Sequence, residues 1–106
     1  MASRPPRDLR LESGASVLDY ELLSEKAATL GRVGERAVAA VARLRAFDEG
    51  GERDGDRAPL LHQASDAVWC YFIQRELCGF RDHRGVIAEL RIPPDVLRRL
   101  GAAPKG

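Results

Sequence analysis

The chain is short of most things that announce a chemistry. Its 106 residues hold no asparagine, one methionine, one tryptophan and two cysteines, and aromatic side chains make up only 6%. So few aromatics limit any large aromatic-lined ligand pocket. No phosphate-cradling loop, paired-thiol motif or nucleophile elbow occurs, and the glycines at 50–55 follow acids and lack the lysine a nucleotide loop needs. Long apolar runs are missing too, the longest being Ala67–Ile73, far below the ~20 residues of a membrane span. Neither sign of charge dominates: 17 basic against 16 acidic residues leave +1, whereas domains that bind nucleic acid nonspecifically carry a basic surplus. These absences point away from an enzyme and from a membrane, and they assign no catalytic residue, no cofactor and no metal.

What remains is the composition of one folded unit. A hydrophobic share of 44% beside 31% charged residues fits a globular domain rather than a disordered one, and the length suits a single core. Arginine outnumbers lysine 15 to 2, beside 15 alanines; this bias follows GC-rich codons before it follows function. The N-terminal Met1-Ala2-Ser3-Arg4-Pro5-Pro6-Arg7 leads into alternating charge rather than an apolar stretch, so no signal peptide is expected. Cys70 and Cys78 are eight residues apart, about 12 Å along a helix, too far for a disulfide. Two free thiols fit a reducing cytoplasm.

Along the chain, residues 1–12 read as a tail and 13–101 as one helical domain, interrupted by a mobile linker at 48–58 and followed by a tail at 102–106. Ser16 is expected to cap the first helix, with Asp19 and Glu21 near its positive end. From there Leu23, Ala27, Leu30, Gly34, Ala37, Val41 and Leu44 recur at intervals of 4, 3, 4, 3, 4 and 3, a coiled-coil-like stripe that strand alternation does not explain. Gly31 and Gly34 each cost a helix interior roughly 1 kcal/mol. The rhythm nevertheless passes through them without a phase slip, and a glycine on the stripe admits a close helix. One continuous helix to about Phe47 is therefore favoured over two. At about 48 Å it overhangs a compact domain of this size, whose radius of gyration is near 13 Å. That overhang leads to the expectation of a homodimer paired through the seven stripe residues.

Asp48–Arg57 has no apolar residue and reads as a loop. Pro59 suits the first turn of a second helix, ended by Gly79. Its middle, Ala67–Ile73, is apolar around the whole circumference, which predicts a helix buried on most sides, with Cys70 a small core residue and Trp69 and Tyr71 in core or interface. Asp82 is placed to cap a third helix through Leu90. Ile92-Pro93-Pro94 ends it, and Asp95–Leu100 forms a last short helix stopped by Gly101. The fold expected is all-α, a small helical bundle with one long N-terminal helix, a buried second helix and two short C-terminal ones.

The candidate chemistry is thin. His62 and Asp66 are four apart, a spacing that suits two metal ligands but also a surface pair, and no third ligand adjoins them. His83 would need Cys78 nearby to act as a base. The densest polar cluster comprises Arg75, Glu76, Arg81, Asp82, His83 and Arg84, taken as the candidate functional surface. Arginines 75, 81, 84, 91, 98 and 99 offer a phosphate- or acid-gripping alternative, a nucleic-acid-associated regulator. Interleaved Glu76, Asp82, Glu89 and Asp95 instead favour internal salt bridges that pin the C-terminal helices.

Arg4-Pro5-Pro6 through Leu11, Ser16–Glu21, and above all Gln74-Arg75-Glu76-Leu77-Cys78-Gly79 with Arg81-Asp82-His83 resemble a small family of uncharacterised bacterial proteins, over roughly residues 4–101. The resemblance implies a stand-alone helical protein without an assigned activity, so it transfers no catalytic residue. The function expected is a non-enzymatic helical module that pairs with its own copy or another protein.

Overall fold

The computed structural model describes residues 14–50 and 55–102, with side chains at 17–50 and 55–100. Among them are four helices and no strand: α1 Gly14–Asp48, α2 Arg57–Leu77, α3 Arg84–Leu90 and α4 Pro94–Ala102. The expected all-α bundle, a long first helix packed on the second, is what the chain forms.

The first helix is one unbroken rod of 35 residues. No proline interrupts it, and alanine, leucine and long-chain charged residues dominate its interior, all good helix formers. Their combined preference carries the rod through Gly31 and Gly34. Gly34 is buried beneath Tyr71 of α2, where an added Cβ would stand 3.0 Å from the ring's Cε1. The glycine on the stripe thus admits a close helix, and that helix is the chain's own.

The core lies where α1 and α2 cross. Ala37, Ala40, Val41 and Leu44 face Ala64, Ala67 and Val68, and Ile92 and Val96 close one end. Small residues at these positions let the two backbones approach, while Leu44, Val41, Val68 and Val96 fill the space between them. Buried Ser65 donates its hydroxyl to the Leu61 carbonyl at 2.8 Å, so this hydroxyl is satisfied within its own helix.

The helix ends explain the route between elements. Arg57 opens α2 and reaches both carboxylate oxygens of Asp48, at 2.6 and 2.9 Å, and Asp95 of α4 at 2.7 Å. The end of α1, the start of α2 and the first turn of α4 meet at this one guanidinium. At the far end of α2, Gly79 takes φ +97°, the Phe80 amide donates to the Arg75 carbonyl and the Gly79 amide to that of Glu76. This double closure is a left-handed helix stop that only glycine adopts without strain. The same pattern closes α3 with Arg91 in the left-handed position at φ 54°.

Several boundaries and burials differ from those expected. α1 begins at Gly14, so Ser16 lies inside it rather than capping it, since nothing in Gly14–Ser16 stops the helix. α3 begins at Arg84, and Asp82 still accepts that residue's amide at 3.1 Å. α4 runs through Gly101 to Ala102, because a single glycine followed by alanine does not end a helix. The largest departure concerns α2. Its middle is covered on one side, by Ala64, Ser65, Ala67 and Val68, while Trp69, Cys70 and Ile73 stand exposed. Cys70 is therefore not a core residue: it is exposed on α2, at the edge of an open groove shared with Arg36, Ala40 and Arg43 of α1. Of the 48–58 linker, residues 51–54 lie outside the described residues, and its two ends are tied by Arg57. The tail at 1–12 also lies outside them, as does 103–106 of the tail expected at 102–106, whose first residue, Ala102, belongs to α4.

The chain is long for its mass. Its radius of gyration is 18.8 Å and its extents are 63 × 27 × 20 Å, because α1 runs on well beyond the end of α2.

Candidate functional site

Two regions hold the candidate residues. The first is the polar corner where α2 turns into α3. The last turn of α2 supplies Arg75 and Glu76, and the stop at Gly79 folds the following segment back so that His83 lies flat on Phe72, ring centres 4.1 Å apart and 5° from parallel. Arg75 Nε donates to His83 Nδ1 at 3.0 Å and its Nη2 to the Asp82 carbonyl at 3.0 Å. His83 Nε2 meets Glu76 Oε2 at 2.9 Å. Because Nδ1 accepts, the hydrogen of the neutral ring sits on Nε2 and is donated to Glu76. The Arg75 guanidinium also lies 5.3 Å from the Phe80 ring centre and 5.9 Å from that of Tyr71.

Asp82 and Arg84 pair beside this latch at 2.7 Å. Hydrogen bonds from the Arg84 side chain, and then from its amide, hold the Asp82 carboxyl down to about 2. The structure thus brings Arg75, Glu76, Asp82, His83 and Arg84 together, and Arg81 stands exposed beside them. Each of the first five hydrogen-bonds to another of the group. Both nitrogens of His83 are engaged, which leaves none to activate the Cys78 thiol. The corner does the work of a structural latch that fixes the course of the chain after α2.

The arginines divide in a similar way. Arg75 and Arg84 belong to the latch, and Arg99 Nη2 lies 3.3 Å from His62 Nδ1. Arg81 lies between α2 and α3, Arg91 just after the end of α3 and Arg98 on α4. His62 Nε2 also lies 3.4 Å from Asp66, both strongly exposed. No group of three metal-capable side chains occurs among the described residues, and no described helix is long and apolar enough to cross a membrane.

The second region is the α1 stripe, which the fold splits in two. Gly34, Ala37, Val41 and Leu44 are buried against α2 within the chain. These four are thus already covered, and the expected pairing surface shrinks to Leu23, Ala27 and half-buried Leu30. Ahead of them every residue from 17 to 28 is exposed. Val17, Leu18, Tyr20, Leu22 and Leu23 show 56–72% of their surface. An open groove of about 620 Å³ continues from this overhang between Ala27, Leu30, Gly34 and Val38 on one side and Tyr71 on the other.

Sequence reasoning did not find the outward row of α2. Trp69, Ile73 and Leu77 recur every four residues on its uncovered side, and Phe80 follows, each 40–62% exposed. The signal was the all-round apolarity of Ala67–Ile73, which indicates cover on both sides without saying which chain provides it.

No curated protein and no solved structure matches the chain. A family model does, over residues 7–106, nearly the span of the resemblance carried by the Arg-Pro-Pro start and the Gln74–His83 segment. Its description assigns no activity. The chain belongs to this family of unknown function, DUF6665.

Proposed function

We propose that the protein is a non-enzymatic helical interaction module that self-associates as a homodimer through the uncovered N-terminal half of the α1 seam. The observation that carries this reading is the overhang itself. Twelve consecutive residues, 17–28, are exposed on every side, yet they include five large apolar side chains. A solitary helix of that length is marginal in water, and packing of its apolar side chains, Leu23 of the seam among them, stabilises it more than propensity does. A second copy offers the same seam, with the same 4-3 spacing. A bacterial cytoplasm is the proposed setting, supported by the free thiols of Cys70 and Cys78 and by the arginine- and alanine-rich composition.

Sedimentation of the purified chain at micromolar concentration tests the proposal. A species of twice 11.7 kDa is expected, dissociating on dilution. A monomer throughout that range would end it.

A further inference from the structure

We propose that the outward row of α2, Trp69, Ile73 and Leu77, receives the α1 overhang of a second copy, in two equivalent contacts related by a two-fold axis. This rests on the self-association proposed above and names the surface that accepts the seam.

The argument starts from α2. A helix that is apolar around its circumference is covered on opposite sides. Within the chain, α1 covers only the side bearing Ala64, Ala67, Val68 and Tyr71. The opposite side leaves Trp69 at 41%, Ile73 at 40% and Leu77 at 62% exposure. The complementary surplus lies on α1. The face that grips α2 through Gly34–Leu44 continues in unchanged rhythm through Leu30, Ala27 and Leu23, where no further helix among the described residues lies against it. One half-used helix and one half-used seam are thus present in every copy.

Their placement lets a single operation satisfy both. The ends pinned by Arg57 and the Tyr71–Gly34 contact make α1 and α2 antiparallel, so the overhang projects past the C-terminal end of α2. A second copy turned end for end in the plane of the two helices lays its overhang back along the first copy's α2 and receives the first copy's overhang in return. Each α2 is then held between its own α1 and the partner's. Residues 17–28 extend about 18 Å and Trp69–Leu77 about 12 Å, so the rod spans the row. A stable interface buries ~800 Å² per partner, and the two-fold arrangement doubles whatever area a single helix contact supplies. Charge agrees: Asp19, Glu21 and Glu25 outweigh Lys26 on the overhang, and exposed Arg81, which has no ion-pair partner among the described residues, follows the row.

The chain carries its own probes. Trp69 is its only tryptophan, and the neighbouring Cys70 is exposed and free. In the unmodified protein, Trp69 emission should move to longer wavelength on dilution, in step with the loss of dimer mass. In a Leu23→Cys variant, mild oxidation should join the introduced thiol to the partner's Cys70, identified by peptide mapping. A dimer whose Trp69 emission ignores dissociation overturns the acceptor while self-association stands. So does a folded, dimeric variant that links its two introduced thiols to each other or forms no 23–70 disulfide. A monomer at every concentration overturns both. If the variant does not fold, the emission of the unmodified protein decides alone.

Discussion

Arg57 shows how much of this small fold depends on a single side chain. Its guanidinium donates to Asp48 and Asp95 together, and those hydrogen bonds, Asp48's first, hold it firmly charged. Asp95 responds in the opposite sense: the hydrogen bond from Arg57 lowers its carboxyl below the ordinary aspartate range. A carboxyl depressed in the folded state adds stability that is fully present above its unfolded pKa, about 3.9, and is lost as pH falls through the lower folded value. Acidification from pH 6 into the range below 4 should therefore weaken the docking of α4. Asp95→Asn should begin less stable at pH 6 and lose less on acidification, so that the two urea-midpoint curves converge at low pH. Parallel curves would show that the Arg57–Asp95 contact contributes nothing.

The two glycines of α1 separate what a helix prefers from what its packing permits. At Gly31 an added Cβ meets nothing within 4 Å, whereas at Gly34 it meets Tyr71 at 3.0 and 3.2 Å. Gly31→Ala should thus raise stability by roughly 1 kcal/mol, the helix preference alone. Gly34→Ala gains the same preference but displaces the Tyr71 ring, so its urea midpoint should fall below that of Gly31→Ala. Equal gains would mean that the ring moves freely and the crossing is loose. The rod itself was legible in the sequence because a 4-3 repeat of seven apolar or small residues has no other regular solution. The split of that repeat was not legible, since spacing identifies a face and not its occupant. For the same reason the apolar circumference of Ala67–Ile73, read as a helix buried on most sides, wrongly placed Cys70 in a core: one side of α2 is buried and Trp69, Cys70 and Ile73 are exposed. The Gln74–His83 cluster was visible as a concentration of polar residues. That it closes on itself depends on the left-handed turn at Gly79, which brings His83 back onto Phe72 and between Arg75 and Glu76.

For the molecule as a whole, the α1 seam has an inner half that maintains the fold and an outer half that the fold does not use. Leu44 is fully buried, while Leu23 is 64% exposed. Leu44→Ala leaves a cavity at the crossing and should cost about 2–5 kcal/mol, a large fraction of the 5–15 kcal/mol by which domains are ordinarily stable. Its urea midpoint should fall equally at every protein concentration. Leu23→Ala removes an exposed side chain from the isolated chain and should move its midpoint by no more than about 0.5 kcal/mol. Mass action makes the stability of a dimer depend on concentration, so the unmodified protein should show a midpoint that rises with concentration, and Leu23→Ala should flatten that rise. The two substitutions sit on one stripe, 21 residues apart, and change the same side chain to the same product, which leaves their surroundings as the only difference. Should Leu23→Ala lower the midpoint at high dilution as Leu44→Ala does, the outer seam is already covered from within the chain, and no second copy is required to explain it.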